Sequence, residues 1–208
     1  MRGDLRLRIS DCGLPGEVLF ELAERQAVED SRKVTTEPAQ DERYELPLGW
    51  AWSSLGEIVE LKYGKGLPAK SRNSSGNILV YGSNGVVGNH DKALTGSPAI
   101  VVGRKGSVGE VHISMTPCWP IDTTYFIDLF PPGLDAAFLF RYLRSQRIGD
   151  LDRSTAVPGI NRGDLYRVPM PLPPLSEQRR IIAKIEALFE QSRTATAVKI
   201  RALRNLAS

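Results

Sequence analysis

Ala99-Ile100-Val101-Val102-Gly103-Arg104-Lys105-Gly106-Ser107-Val108-Gly109-Glu110-Val111-His112-Ile113 decides the fold class. Two runs rich in β-branched residues, Ala99–Val102 and Val108–Ile113, stand on either side of Gly103-Arg104-Lys105-Gly106. Branching at Cβ suits a pleated strand, and paired glycines suit the turn between two of them. The same grammar extends outward to candidate strands at Gly56–Tyr63, Asn77–Tyr81 and Thr124–Leu129. Ser83-Asn84-Gly85 reads as a tight turn, because Asn and Gly accept positive φ. At Ala136–Arg147 the period changes: Phe138, Leu139, Tyr142 and Leu143 share one helical face. The expectation is an α+β chain whose central domain, residues 45–174, is a mixed, strongly bent, β-rich unit with short helices.

The flanks differ from this centre. Arg167–Pro174 holds Pro169, Pro171, Pro173 and Pro174, so it runs extended and is neither a helix nor an inner strand. Residues 175–208 then read as one long helix, with Ser176 as N-cap and Glu177 in the first turn. Its apolar stripe is Ile181, Ile182, Ile185, Leu188 and Phe189, continuing more weakly through Ala195, Val198, Ala202, Leu203 and Leu206. Thirty helical residues extend about 45 Å, more than a domain of this size needs. Such a helix at a chain end wants a partner helix. The alternatives are folding back on its own domain or pairing with a helix at Pro15–Arg32. That second helix belongs to residues 1–44, an acidic helical segment ending in a polar linker.

Composition bounds the partners. Of 208 residues, 41% are hydrophobic and 25% charged, so a core can form. No apolar run approaches the roughly 20 residues of a membrane span. No secretory signal is legible. Cys12 and Cys118 follow no metal or redox spacing, which makes a reduced cytoplasm the simplest compartment. Lys62–Gly109 carries seven cations against one anion, whereas the first fifty residues carry seven against eleven. A basic region on a nearly neutral chain suits a polyanion-binding face, or, more blandly, a solvated loop surface.

Catalytic signatures are missing. His90 and His112 have no metal-ligand spacing, so no metal site is expected. There is no P-loop, no GxSxG, and no Asn or Asp before either Pro-Pro pair. Asp122 in Pro120-Ile121-Asp122 lacks the acid and lysine of a nuclease motif. The glycines of Gly103–Gly109 space as GxxGxxG, but no helix pattern follows them, so a nucleotide site is weakly supported. They do suit phosphate contact by main-chain amides, Arg104, Lys105 and Ser107. Asn84 on its turn could bond adenine, with Ser83 beside it, or the turn is purely structural. Arg153, Asn161 and Arg162 flank Ala156-Val157-Pro158-Gly159-Ile160 and suit phosphate, unless they pair with Asp150, Asp152 and Asp164. Lys65, Lys70 and Arg72 lie in a Gly/Ser-rich loop suited to salt-sensitive attraction. Trp50 and Trp52 read as packing residues, with base stacking the minor alternative.

Six motifs in order carry a family resemblance. Leu46-Pro47-Leu48-Gly49-Trp50-Ala51-Trp52-Ser53-Ser54-Leu55-Gly56-Glu57 resembles the opening of a target recognition domain in specificity subunits of type I restriction-modification systems. Tyr81–Gly88, Val102–Gly109, Cys118–Thr124, Gly159–Leu165 and Pro171–Gln178 resemble that family's later signatures, the last leading into its spacer helix, which the resemblance implies packs as an antiparallel coiled coil. The resemblance covers Leu46 to the end and implies a non-catalytic subunit that reads double-stranded DNA. It implies methyltransferase subunits holding S-adenosylmethionine, and a restriction subunit using ATP, with no cofactor on this chain. Complete members resemble two such repeats, and here there is one. The expectation is therefore a half-subunit that homodimerises through its helix or pairs with another half-subunit. The alternative is an orphan scaffold that has lost DNA binding.

Overall fold

The computed structural model describes residues 45–151 and 159–206, with side chains as far as Thr194. The chain divides into two units, Met1–Leu46 and Pro47–Ser208, and every element below belongs to the second. The expected helix at Pro15–Arg32 and Arg153 fall outside the described residues, as do the side chains of Val198 and Leu203.

The fold is α+β, built on three small sheets and a long C-terminal helix. The first sheet pairs β1 (Ala51–Ser54) antiparallel with β9 (Pro169–Leu172). Two chain segments more than a hundred residues apart thus close the domain. Prolines at 169 and 171 cannot donate to a ladder, and a two-stranded sheet consists only of edges, where proline is tolerated. The second sheet has the order β2 (Lys62–Tyr63), β8 (Thr124–Ile127), β5 (Ala99–Gly103), β6 (Val111–Ser114), all antiparallel. The third places β3 (Ile78–Gly82) between antiparallel β4 (Gly85–His90) and parallel β7 (Cys118–Pro120).

Central strand β5 is buried at every position. Its alternate residues serve two cores. Ile100 and Val102 join Leu61, Tyr125, Ile127, Leu139 and Leu143 in the larger one. Ala99 and Val101 point the other way and pack with Tyr81, Cys118 and Phe126 in the smaller one. A period of two on a strand covered on both faces requires this division.

The helices carry the larger core. α1 (Leu55–Ile58) is one turn, started where the main-chain N–H and hydroxyl of Ser54 donate to the Glu57 carboxylate at 2.6 and 2.8 Å. α2 (Ala136–Ser145) begins at Asp135, whose Oδ1 accepts from the amides of Ala137 and Phe138. It buries Phe138, Leu139, Phe140 and Leu143 against β5 and β6. α3 (Arg162–Tyr166) is capped by Asn161, and α4 runs over Leu175–Leu206.

Several expected boundaries are corrected. Gly56–Tyr63 is not one strand: the Ser54–Glu57 pairing turns its start into α1, leaving Lys62–Tyr63 extended. The expected strand at Val108–Ile113 starts only at Val111, because Gly109, at φ +81°, turns the chain first. α2 ends at Ser145 instead of Arg147. Ser176 lies inside the first turn of α4, where the amides of Glu177 and Gln178 both donate to the Pro174 carbonyl. β1, β4, β7 and α3 are absent from the reading of the sequence. Among the described residues, no helix is long and apolar enough to cross a membrane.

Candidate nucleic-acid interface

The Gly103–Gly106 corner is where distant parts of the chain meet. The amides of Arg104 and Lys105 both donate to the Thr123 carbonyl, at 3.0 and 3.2 Å. The Arg104 carbonyl accepts from Ile160 N–H at 3.0 Å, and Lys105 forms a bridge with Gly159. The Ser83 hydroxyl lies 2.5 Å from the Lys105 carbonyl and 2.8 Å from that of Thr123. Four signatures scattered through the sequence are thereby knit at one place. Gly103 is required there, since a Cβ would stand 2.3 Å from the Ser107 carbonyl oxygen and 2.9 Å from that of Ser83. Gly106, at φ +78°, lets the chain reverse with open space around it.

Two arginines converge over an exposed ring at this corner. The Arg104 guanidinium lies 5.2 Å from the centroid of Tyr63 and 5.4 Å from that of Tyr125. That of Arg162 lies 5.1 Å from Tyr63 and 5.8 Å from Tyr166. Tyr63 is 51% exposed, while Tyr125 below it is buried, with ring centroids 5.0 Å apart. Burial, and then the Tyr63 hydroxyl, push the Tyr125 phenol up, so it stays neutral and donates to the Ile160 carbonyl at 3.1 Å. Arg104 spends one N–H on the Asp122 carbonyl at 3.1 Å, and its Nε is buried without a partner. The result is two half-buried guanidinium groups gathered at one half-exposed ring. Such a group offers N–H donors and cation–π attraction to phosphates, base edges and rings.

The other expected site residues fall into distinct environments. Lys105 and Ser107 are exposed on the corner itself. Asn84 is exposed at the tip of the β3–β4 hairpin, next to Val86, while its neighbour Ser83 is buried beneath it. Positive φ in this turn falls on Gly85 and not on Asn84. Lys65 and Lys70 are exposed. Arg72 is half-buried and donates to the carbonyls of Leu67 and Val87 at 3.1 and 2.8 Å, folding its loop against β4. Asn161 turns its Oδ1 to the Gly163 amide as cap of α3. Asp164 pairs with Arg167 at 2.7 Å, while the Arg162 guanidinium lies over the tyrosines and donates to the Leu61 carbonyl at 3.4 Å. Along α4, Ile182 is buried and Ile181 and Ile185 are half-buried, whereas Leu188 and Phe189 are 52% and 49% exposed. Arg141 lies 5.0 Å over the Phe189 ring.

Tyr63 and Tyr125 were not singled out from the sequence. An aromatic between Lys62 and Lys65 was the available signal for Tyr63, but only the β2–β8 pairing brings it to Arg104 and Arg162. Trp52 lies half-buried in β1 opposite Pro171.

Residues 47–202 match the family model described as the Type I restriction modification DNA specificity domain. The Escherichia coli type I restriction enzyme EcoDI specificity subunit is 36% identical over 73 residues, which are 32% of this chain and 16% of that protein. The S subunit of a type I restriction-modification system from M. genitalium superposes with a TM-score of 0.60 at 22% identity, over 77% of this chain and 43% of that one. The HsdS subunit from Thermoanaerobacter tengcongensis gives 0.56 at 22%, over 86% and 49%. At these identities the structural likeness is one of fold, and the chain spans about half the length of those subunits or less. Because the family match runs through all three sheets and most of α4, this chain belongs to the family of type I restriction-modification DNA specificity domains.

Proposed function

We propose that this chain is a half-length specificity subunit that reads one half of a bipartite site in double-stranded DNA. The observation that carries this reading is the convergence of Arg104 and Arg162 on exposed Tyr63, beside exposed Lys105 and Ser107 on a glycine-hinged corner. Buried Ser83 and the Asn161 cap position this surface; Asn84, Arg104, Lys105 and Arg162 touch the duplex. Lys65 and Lys70 add sequence-independent attraction, as does Arg153. Catalysis belongs elsewhere in the complex. Methyltransferase subunits holding S-adenosylmethionine dock on the assembly, and an ATP-using restriction subunit joins them, in the cytoplasm where the DNA lies. Two copies, or two half-subunits, pair through α4, and the exposure of Leu188 and Phe189 supports this.

The test is fluorescence anisotropy on a labelled mixed-sequence 30-base-pair duplex, titrated from low to moderate KCl. Each phosphate neutralised should contribute about −0.9 to the slope of log K against log salt. Binding that steepens with the number of contacting cations is expected; absence of binding at low salt overturns the reading. Sedimentation of a Leu188→Asp, Phe189→Asp variant should show monomer, and retained association excludes α4 as the interface.

A further inference from the structure

Gln178 is fully buried on a helix that is otherwise charged at its start. Its carboxamide meets three main-chain groups. Oε1 accepts from Asp135 N–H at 2.8 Å, and Nε2 donates to the carbonyls of Gly133 and Pro173, each at 2.8 Å. One acceptor facing an amide and two donors facing carbonyls fix the orientation of the group. Asp135 is also the cap of α2, so the first turn of α4 is keyed to the first turn of α2 through this one side chain. Ile182 adds apolar burial one turn later, but apolar contact is non-directional and tolerates rotation. Three hydrogen bonds with fixed angles do not.

Direction matters because α4 is a lever. Thirty-two residues extend about 48 Å, and a 10° swing at the base moves the tip about 8 Å. That is on the order of two base-pair steps at 3.4 Å each. We propose that Gln178 is the positioning residue that fixes the angle at which α4 leaves the recognition domain, and so the spacing at which two half-sites are read. The spacing clause rests on the function proposed above; the angular clause does not.

The experiment separates the two. In the full chain with Cys12→Ser, spin labels at Ala93→Cys and Ser192→Cys, both exposed positions, report the distance from the domain to α4 by double electron–electron resonance. Gln178→Met keeps the volume and removes all three hydrogen bonds. Gln178→Glu keeps an acceptor for Asp135 N–H and loses the donors, and serves if the Met variant does not fold. Ile182→Ala is the control for loosened attachment without loss of direction. The distance distribution should broaden at least twofold in either Gln178 variant and stay narrow in Ile182→Ala. An unchanged width in a folded Gln178 variant overturns the proposal, and so does equal broadening in Ile182→Ala. On duplexes selected for binding and rebuilt with spacers changed by one to three base pairs, the Gln178 variants should bind all spacers within threefold of one another. A single half-site should still bind within twofold of wild type. A wild-type chain that shows no DNA binding overturns the proposed function and the spacing clause, while the spin-label distances still decide the angle.

Discussion

The corner at Ser83, Lys105 and Thr123 and the base of α4 at Gly133, Pro173 and Gln178 are both places where a side chain ties together main-chain groups distant in sequence. They differ in what is left over. At the base of α4 the Gln178 amide is fully buried and meets three partners. At the corner the buried Ser83 hydroxyl does the tying, but the loop it holds carries Arg104, Lys105 and Ser107 outward. Arg104 keeps an unpartnered Nε and shares an exposed ring with Arg162. A closed polar junction contributes stability and direction; an open one leaves half-buried guanidinium groups and the exposed Lys105 and Ser107 beside it for a ligand. The contrast separates a structural joint from a binding surface more sharply than net charge does.

The hardest blow to this contrast should come from Gln178→Ala. It strands one amide and two carbonyls and leaves a cavity, at a cost of about 3 kcal/mol in urea unfolding, with half-site DNA affinity retained per folded molecule. A cost below about 1 kcal/mol would mean that water replaces the carboxamide and the junction is not closed. Next, Arg104→Ala with Lys105→Ala should weaken binding to the mixed-sequence duplex about a hundredfold, near 2.7 kcal/mol. The salt slope should fall by about two, while loss of the Asp122 hydrogen bond and the tyrosine contacts should lower stability by only about 1–2 kcal/mol. A large loss of stability with unaltered affinity would assign the corner to structure instead. Ser83→Ala should sit between the two regions, destabilising by about 1–2 kcal/mol and loosening DNA binding only through the loop it holds. Equal affinity at all salts would detach Ser83 from the site. Smallest of all, Arg167→Ala removes an ion pair on a largely exposed arginine and should change stability by less than about 0.5 kcal/mol.

The broad plan was legible in the sequence for local reasons. β-branched runs marked β3, β5 and β8 within a residue or two, because pleat and branching agree there. The spacing of Phe138, Leu139 and Leu143 marked α2, and the proline run marked an extended segment that became edge strand β9. The Gly64–Ile121 contact and the other interlocked loops were not legible. Gly64 is glycine because a Cβ would lie 2.0 Å from the Ile121 carbonyl, a contact between positions 57 residues apart. β1 and β7 were missed for the same reason, since each is short and exists only by pairing with a distant strand.

For the candidate site, sequence alone determined the cationic, glycine-rich character of the Gly103–Gly109 corner and the presence of a long amphipathic helix after Pro174. Residue type and near-neighbour spacing suffice for both, because charge, backbone freedom and helical period are local properties. Tertiary structure alone decided that Arg104 and Arg162 meet at Tyr63, that Arg72 and Ser83 turn inward to backbone carbonyls, and that Gln178 is buried at the root of α4. Those outcomes depend on which segments the sheets bring together, and strand pairing between residues a hundred positions apart leaves no local mark on the chain.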